Sequence, residues 1–543
     1  MSCNSSKVGV SEKTVTVDST IKNNRPNIIY ILADDLGIGD LTIYNEDGKI
    51  STPNLDQLGR EGMKFNDAHT SSSVCTPTRY GILTGRYNWR TPLKEFVLWG
   101  NSPTLIEEDR LTVAQLLKNN GYKTANIGKW HLGLNWTLKN DEANFETYSK
   151  RTDRISFGKI DYNQPLKSGT LDVGFDYSFM IAASLNMPPF VYLENDKSTQ
   201  IPTRKTERKR KEHPFSSWIK GDIADDFVHE QVLPIFVEKS VDFIKENAKS
   251  KEPFFLYLPL PSPHNPVLPI EPWKGTSNIN GYADFVIMTD ALMGKIFETL
   301  KEQGIEENTM IIFTSDNGCS STADIPTLKK KGHNPSYIYS GLKGSYLEGG
   351  HRVPFLVKWK GVIPANSESN ETICTTDFMA TCADLLNYSL KENEGEDSYS
   401  MLPLLTGKGS YERTSTVHHS KSGVFAIRKG DWKLVLLPNS GVAANGKPAK
   451  VKQILPDYLL FNLTKDVKEN NNVAEEYPEK VEELKKVMIQ QIKQGRSTPG
   501  NPQQNAEIDF EWVQTAFFLI NLTADLASLS DSKGVVLLDL LVL

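Results

Sequence analysis

Cysteine is scarce, with five in 543 residues, at positions 3, 75, 319, 374 and 382. They are too few and too scattered for a disulfide scaffold, and none stands in a Cys-x-x-Cys pair suited to zinc. Long apolar runs are also missing. No stretch reaches the roughly 18 uninterrupted apolar residues of a membrane span, so no transmembrane segment is expected. Positive charge is not in excess: 61 Lys and Arg stand against 67 Asp and Glu, a formal net charge of −6. That balance gives no general reason to expect a nucleic-acid partner. Histidine is rare too, with nine, so a histidine at a strand end is informative. What is present is a long chain, 38% hydrophobic, enough for a large domain and a smaller one at about 150 residues each as a prior. A mini-protein, a disordered tail and a coiled coil are excluded.

No basic region followed by an apolar one opens the chain. Met1-Ser2-Cys3-Asn4-Ser5-Ser6 and the polar segment to Asn24 admit two readings. One is the remainder of a bacterial lipoprotein signal whose apolar part lies upstream, with Cys3 as lipid anchor. The other is an ordinary disordered terminus. Order is expected to begin with the apolar run 26–32, which breaks at Ala33-Asp34-Asp35-Leu36-Gly37; such a run suits a strand buried on both faces. Helical spacing over 111–120 leads to a strand at 124–127. A helix closing at 241–248 leads to a strand at 253–258, and a helix over 283–301 to a strand at 310–314. This alternation implies βαβ units and a mostly parallel sheet, with ligands beyond the carboxyl ends of the strands.

From about residue 405 the pattern changes to short strands at 423–428, 432–436 and 458–462, then a helix over 478–494. The expected fold class is therefore α/β, a large mostly parallel central sheet flanked by helices, with a smaller C-terminal α+β domain containing an antiparallel sheet. The expected divisions are 1–24, a disordered N-terminal segment, 25–405, 406–498, and a tail, 499–543, to which the pattern assigns no structure. One insertion stands out, with Arg204, Lys205, Arg208, Lys209, Arg210 and Lys211 close together. It reads as a solvated loop or as a site for an anionic ligand.

Asp34 and Asp35 follow the first strand, and Ser315-Asp316-Asn317-Gly318 follow the strand at 310–314. Carboxylate and amide oxygens at two strand ends of one sheet suit a hard divalent cation, calcium or magnesium rather than zinc; as isolated pairs they also read as turn residues. His131, in Gly128-Lys129-Trp130-His131-Leu132-Gly133, and His264, in Pro261-Ser262-Pro263-His264-Asn265-Pro266, stand after two more strands, where a proton-transfer group or a packing histidine would fit. Lys129 and Lys343, each flanked by glycine, would add positive charge beside an anionic substrate.

Ser73-Val74-Cys75-Thr76-Pro77-Thr78-Arg79 then Gly81-Ile82-Leu83-Thr84-Gly85-Arg86 is the decisive stretch. Proline two residues after Cys75 and a helical pattern beyond it predict Cys75 at a helix N-terminus, where a thiolate or developing anion is favoured. Arg79 lies one turn on, placed to brace that group or a substrate oxygen. Cys-x-Pro-x-Arg with Leu-Thr-Gly-Arg resembles the signature of the type I, formylglycine-dependent sulfatases of the arylsulfatase A kind, in the alkaline phosphatase superfamily. The resemblance runs from about Arg25 to Gly500, through motifs in the same order at Asp34-Asp35, Gly39-Asp40, Cys75, Lys129-Trp130-His131, His264, Asp316-Asn317-Gly318, Lys343-Gly344 and Glu348-Gly349-Gly350.

By that resemblance 25–405 is the sulfatase catalytic domain, and Cys75 is oxidised by a formylglycine-generating or sulfatase-maturating enzyme to Cα-formylglycine. Asp34, Asp35, Cys75, Asp316 and Asn317 bind one Ca²⁺. Arg79 and Lys129 stabilise the formylglycine, and His131 contacts its diol. His264 and Lys343 hold the sulfate, with His264 protonating the leaving alcohol. Ser184 matches a sulfate-contacting serine. The implied protein is a periplasmic, outer-membrane lipoprotein or secreted arylsulfatase-type enzyme acting on a sulfated small molecule or polysaccharide. The basic insertion, the Ser184 segment and the loop around His333 are expected to read the rest of the substrate. Two alternatives stay open: a phosphonate monoester or phosphodiester hydrolase of the same superfamily, and a non-catalytic binder of sulfated glycans with an unmodified Cys75.

Overall fold

The computed structural model describes residues 25–140, 157–207, 217–438 and 455–506. Cys3 and the rest of the N-terminal segment, four of the six clustered basic residues (Arg208, Lys209, Arg210 and Lys211) and the tail from 507 lie outside the described residues.

A ten-stranded sheet forms the centre. Its five middle strands, in spatial order Thr309–Ser315, Asn27–Asp34, Phe254–Pro263, Lys123–Lys129 and Tyr177–Ile181, are parallel. In the Asn27–Asp34 strand Ile28, Tyr30 and Leu32 enter one core while Ile29, Ile31 and Ala33 enter the other. An unbroken apolar run is what a strand covered on both faces requires. Helices Val232–Asn247 and Gly281–Glu302 cover the Ile29 side, and Cys75–Thr84, Val113–Asn119 and Phe378–Leu385 cover the other.

Two features depart from the sequence reading. Phe254–Pro263 continues past the expected end at 258, through Pro259, Pro261 and Pro263. It keeps a parallel partner in Asn27–Asp34 through a register shift between Leu32 and Asp34, where the ladder loses regular pairing and a missing N–H is tolerated. Phe355–Trp359, unforeseen, runs antiparallel to Thr309–Ser315. Lys358 interrupts its apolar pattern, but the buried ammonium is taken by Glu61 and by Glu306 at 2.6 Å.

The C-terminal region forms a four-stranded antiparallel sheet, Thr416–His419, Phe425–Lys429, Trp432–Leu436 and Tyr458–Asn462. Helix Pro478–Gln494 packs on it through Val481, Leu484, Met488 and Ile492. A buried polar seam joins this sheet to Asp67 and His69 and to the short helix Glu348–His351. Asp67 accepts from His69 at 2.6 Å and from Arg428 at 2.5 Å, and also pairs with Arg352. Lys433 donates to Glu348 and Glu469 at 3.0 and 2.8 Å. His69 and His351 share a 3.0 Å hydrogen bond, and the His351 ring stacks on His418 at 3.9 Å.

Burial holds His69, His351 and His418 below the usual histidine range, with Lys433 acting in the same direction on the last two, and it pushes His419 down to about 4. The unfolded chain takes up protons below about pH 6.5 that the folded chain refuses. Stability is therefore lost as pH falls below about 6.5, and for His419 the loss continues down to about pH 4. Urea midpoints measured from pH 7.5 to 5 should drop steeply below 6.5; a flat profile contradicts the assignment of neutral buried rings.

Candidate active site

The carboxyl ends of the parallel strands bring the predicted residues together. Asp34 ends one strand, and Asp35 follows with φ of +67°, a left-handed conformation that aspartate tolerates better than most residues. Asp316 and Asn317 follow Thr309–Ser315, Lys129 ends Lys123–Lys129 with His131 two residues on, and His264 follows Phe254–Pro263. Cys75 is the first residue of its helix, behind an extended Val74 with no side-chain cap, so first-turn N–H groups are left for a ligand. All these side chains are buried, His264 being the most exposed at 9%; Lys343 is half-buried.

Cys75 Sγ lies 3.5 Å from Asp34 Oδ1 and 3.3 Å from Lys343 Nζ. Lys343 also donates to Asp35 Oδ1 at 2.5 Å, and Lys129 to Asp34 Oδ2 at 2.7 Å. Arg79 grips Asp316 Oδ2 with Nε and Nη2 at 3.0 and 2.7 Å and reaches the Lys129 carbonyl at 3.0 Å. His264 Nε2 stands 3.7 Å from Asp35 Oδ2. His131 donates through Nε2 to the Leu98 carbonyl at 2.9 Å, while its Nδ1 is buried without a hydrogen-bond partner. Burial, reinforced by Lys129, holds this ring neutral, so Nδ1 carries a free lone pair.

The donor set fits a hard cation. Three carboxylates, Asp34, Asp35 and Asp316, crowd one buried space, and Asn317 commits its amide N–H to Asp35 at 2.7 Å while its Oδ1 is left with no partner. Burial and the charge of Asp34 push Asp316 up to about 6. Burial would raise Asp34 too, but Lys129, His264 and Arg79 hold it well below the usual carboxylate range. Asp34, Asp35, Cys75 and His264 offer ligand atoms all within 4.8 Å of one another. Oxygen donors of this kind suit Ca²⁺ or Mg²⁺.

One expectation is corrected. The helix N-terminus was expected to favour a thiolate, yet burial and the neighbouring Asp316 push the Cys75 thiol up to about 12. Unmodified, it is a neutral thiol among carboxylates and a poor nucleophile.

Other predicted residues sort by position. Ser184 is buried with an unpartnered Oγ, on a loop tied to the site where the His131 N–H donates to the Ala182 carbonyl at 3.1 Å. His333 points inward to Asp40 at 2.9 Å and reads no substrate itself. Within the basic insertion, Arg204 pairs with Asp225 at 2.7 Å and Lys205 stands 4.0 Å from Asp222, so acids answer the charge of both. The contribution of the C-terminal sheet had no sequence signal. The Ser73 N–H donates to the His419 carbonyl at 3.0 Å, Gly344 N–H to Ser73 at 2.8 Å and Lys421 N–H to Gly344 at 3.1 Å. The end of one C-terminal strand thus ties the Cys75 loop to the Lys343 loop.

Comparison with known proteins agrees with this geometry. The family model described as Sulfatase matches residues 26–388. An N-acetylgalactosamine-6-O-sulfatase of Bacteroides thetaiotaomicron is 32% identical over 516 residues, covering 88% of this chain and 95% of the relative. Human steryl-sulfatase is 28% identical over 538 residues, 90% of this chain and 91% of its own. A solved Bacteroides thetaiotaomicron structure from work on glycosaminoglycan metabolism superposes with a TM-score of 0.72 at 31% identity, covering 86% of this chain and 98% of that one. With the oxygen-rich cage at the strand ends and Cys75 heading its helix, these likenesses identify the chain as a member of the sulfatase family of the alkaline phosphatase superfamily, a sulfuric ester hydrolase.

Proposed function

We propose that this enzyme removes sulfate from a sulfated carbohydrate, with residue 75 acting as formylglycine and one Ca²⁺ in the carboxylate cage. The observation that carries the reading is the meeting of Cys75, three carboxylates, the unpartnered Asn317 Oδ1 and three cationic side chains at one sheet edge. Asp34, Asp35, Asp316, Asn317 and residue 75 would hold the Ca²⁺, which neutralises charge on the sulfate. Hydrated formylglycine supplies one hydroxyl to attack sulfur and a second whose deprotonation lets sulfate leave, and a maturation enzyme must install it.

This chain's own side chains do the rest. Arg79 and Lys129 fix Asp316 and Asp34 and offset their charge. Lys343, with Ser184, holds the anionic ester oxygens. His131 accepts a proton at Nδ1, and His264, the most exposed of the buried set, gives one to the departing alcohol. The 32% identical bacterial relative makes a 6-O-sulfated N-acetylgalactosamine unit the first substrate to try. It also supports an extracytoplasmic location, periplasmic or at the outer membrane; among the described residues no helix is long and apolar enough to cross a membrane.

The test is to co-express the chain with a maturation enzyme and measure release from N-acetylgalactosamine 6-sulfate and 6-phosphate side by side. Sulfate should leave faster by about 100-fold or more. Faster phosphate release supports the phosphonate or phosphodiester alternative, and residue 75 left as a thiol, with sulfated glycan bound and not turned over, supports the binder. Exhaustive chelation should lower sulfate release by about 100-fold or more, with Ca²⁺ restoring it; full activity after chelation contradicts the metal assignment.

A further inference from the structure

Beside the active site a cavity of about 730 Å³ is lined by the loop 334–345 together with Lys329 and Lys468. It falls in the about 300–1,000 Å³ range of small-molecule sites. Its lining contains Lys329, Lys343 and Lys468 and no carboxylate, on a chain whose net charge is −6. Neither Lys329 nor Lys468 has an acidic partner among the described residues. Tyr337 and Ile338, 37% and 40% exposed, also line it, and they belong to a small group of large apolar side chains exposed on the described surface.

The loop is held in shape. Tyr337 has φ of +56°, an uncommon and strained conformation for a bulky residue. It is maintained by packing against the metal loop: a Cβ on Gly39 would meet the Asn334 carbonyl at 2.2 Å and the Tyr337 nitrogen at 2.6 Å, and one on Gly37 would meet the Pro335 carbonyl at 2.2 Å. His333 pins the start of the loop to Asp40, and Lys343 near its end reaches Cys75. The same rigid loop therefore faces the reacting centre at Lys343 and the cavity at Tyr337.

We propose that this cavity is a subsite for a second, acidic sugar unit of the substrate chain, next to the unit that loses its sulfate. Lys329 and Lys468 take its carboxylate or sulfate, and Tyr337 with Ile338 covers an apolar face of the ring, as aromatic side chains do at wet interfaces. This rests on the carbohydrate reading above. It adds that the enzyme prefers an acidic oligosaccharide to a single sulfated sugar.

The test compares N-acetylgalactosamine 6-sulfate with a tetrasaccharide of alternating hexuronate and 6-sulfated N-acetylgalactosamine. In the Lys329→Ala/Lys468→Ala variant the ratio of kcat/KM for tetrasaccharide over monosaccharide should fall about tenfold, mainly through KM. Tyr337→Gly, which accepts the left-handed backbone and removes only the ring, should lower the same ratio. Raising ionic strength should narrow the wild-type ratio and leave that of the double variant nearly constant. An unchanged ratio in both variants overturns the subsite while leaving the sulfatase reading intact. Wild type that releases sulfate from neither sugar overturns the carbohydrate reading itself.

Discussion

Cys75→Ala should abolish sulfate release, with a loss of at least about 10⁴-fold, the scale seen when a covalent nucleophile is removed, while the fold persists. The side chain is buried, and its hydrogen-bonding neighbours Asp34 and Lys343 keep their other partners, Lys129 and Asp35. Loss of one sulfur atom therefore costs little stability. The reason for the large effect is chemical: with its thiol pushed up to about 12, unmodified Cys75 has almost no thiolate at neutral pH, and a thiol adduct of sulfate would have no second hydroxyl through which to collapse. The decisive measurement is the mass of the tryptic peptide of residues 65–79, which contains Cys75. In an active preparation it should carry an aldehyde in place of the thiol, and specific activity should rise in proportion to the converted fraction. Full activity with the thiol retained would sink the mechanism.

Much of this site was legible in sequence because each residue follows a strand whose apolar run is unmistakable. Asp34, Lys129, His264 and Asp316 could be aligned at one sheet edge before any coordinates, since a parallel sheet turns strand ends into neighbours. The residues Arg79 grips were not legible. The arginine was placed beside the nucleophile, but its bond to Asp316 spans 237 positions and depends on the helix Cys75–Thr84 lying beside the end of the strand Thr309–Ser315. The charge state of Cys75 was misjudged for a related reason: a helix N-terminus is local and visible, whereas burial beside Asp316 and Asp34 is a property of the assembled core. The polar strand Thr416–His419 was missed because its histidines satisfy partners far away in the chain, the Thr70 carbonyl for His418 and the Asn88 side chain for His419. Periodicity cannot reveal a strand whose polar side chains are buried by a distant segment.

The seam that strand belongs to leads to the second large effect. Lys433→Met should destabilise the protein by about 3–5 kcal/mol, the cost of breaking a buried ion pair by removing one partner. Lys433 is fully buried and answers two carboxylates, Glu348 at 3.0 Å and Glu469 at 2.8 Å, while Glu469 also accepts the Glu348 backbone N–H at 2.7 Å. Without the ammonium two buried acids face each other; Arg352, at 3.3 Å from Glu348, compensates only one of them. Adding Glu469→Gln should recover more than half of the lost stability, because the double variant leaves Glu348 with Arg352 and Arg428 and an amide still able to accept its backbone N–H. Activity should fall with stability in the single variant, since Glu348 begins the short helix Glu348–His351 that follows the Lys343 loop, and that loop hangs on the Cys75 segment through Gly344 and Ser73. Urea unfolding of the single and double variants, read beside kcat, separates the outcomes. If Lys433→Met unfolds within 1 kcal/mol of wild type, about a fivefold change in the equilibrium, then Glu469, whose carboxyl burial already pushes up, has taken a proton, and the cation is not what holds the helix Glu348–His351 to the C-terminal sheet.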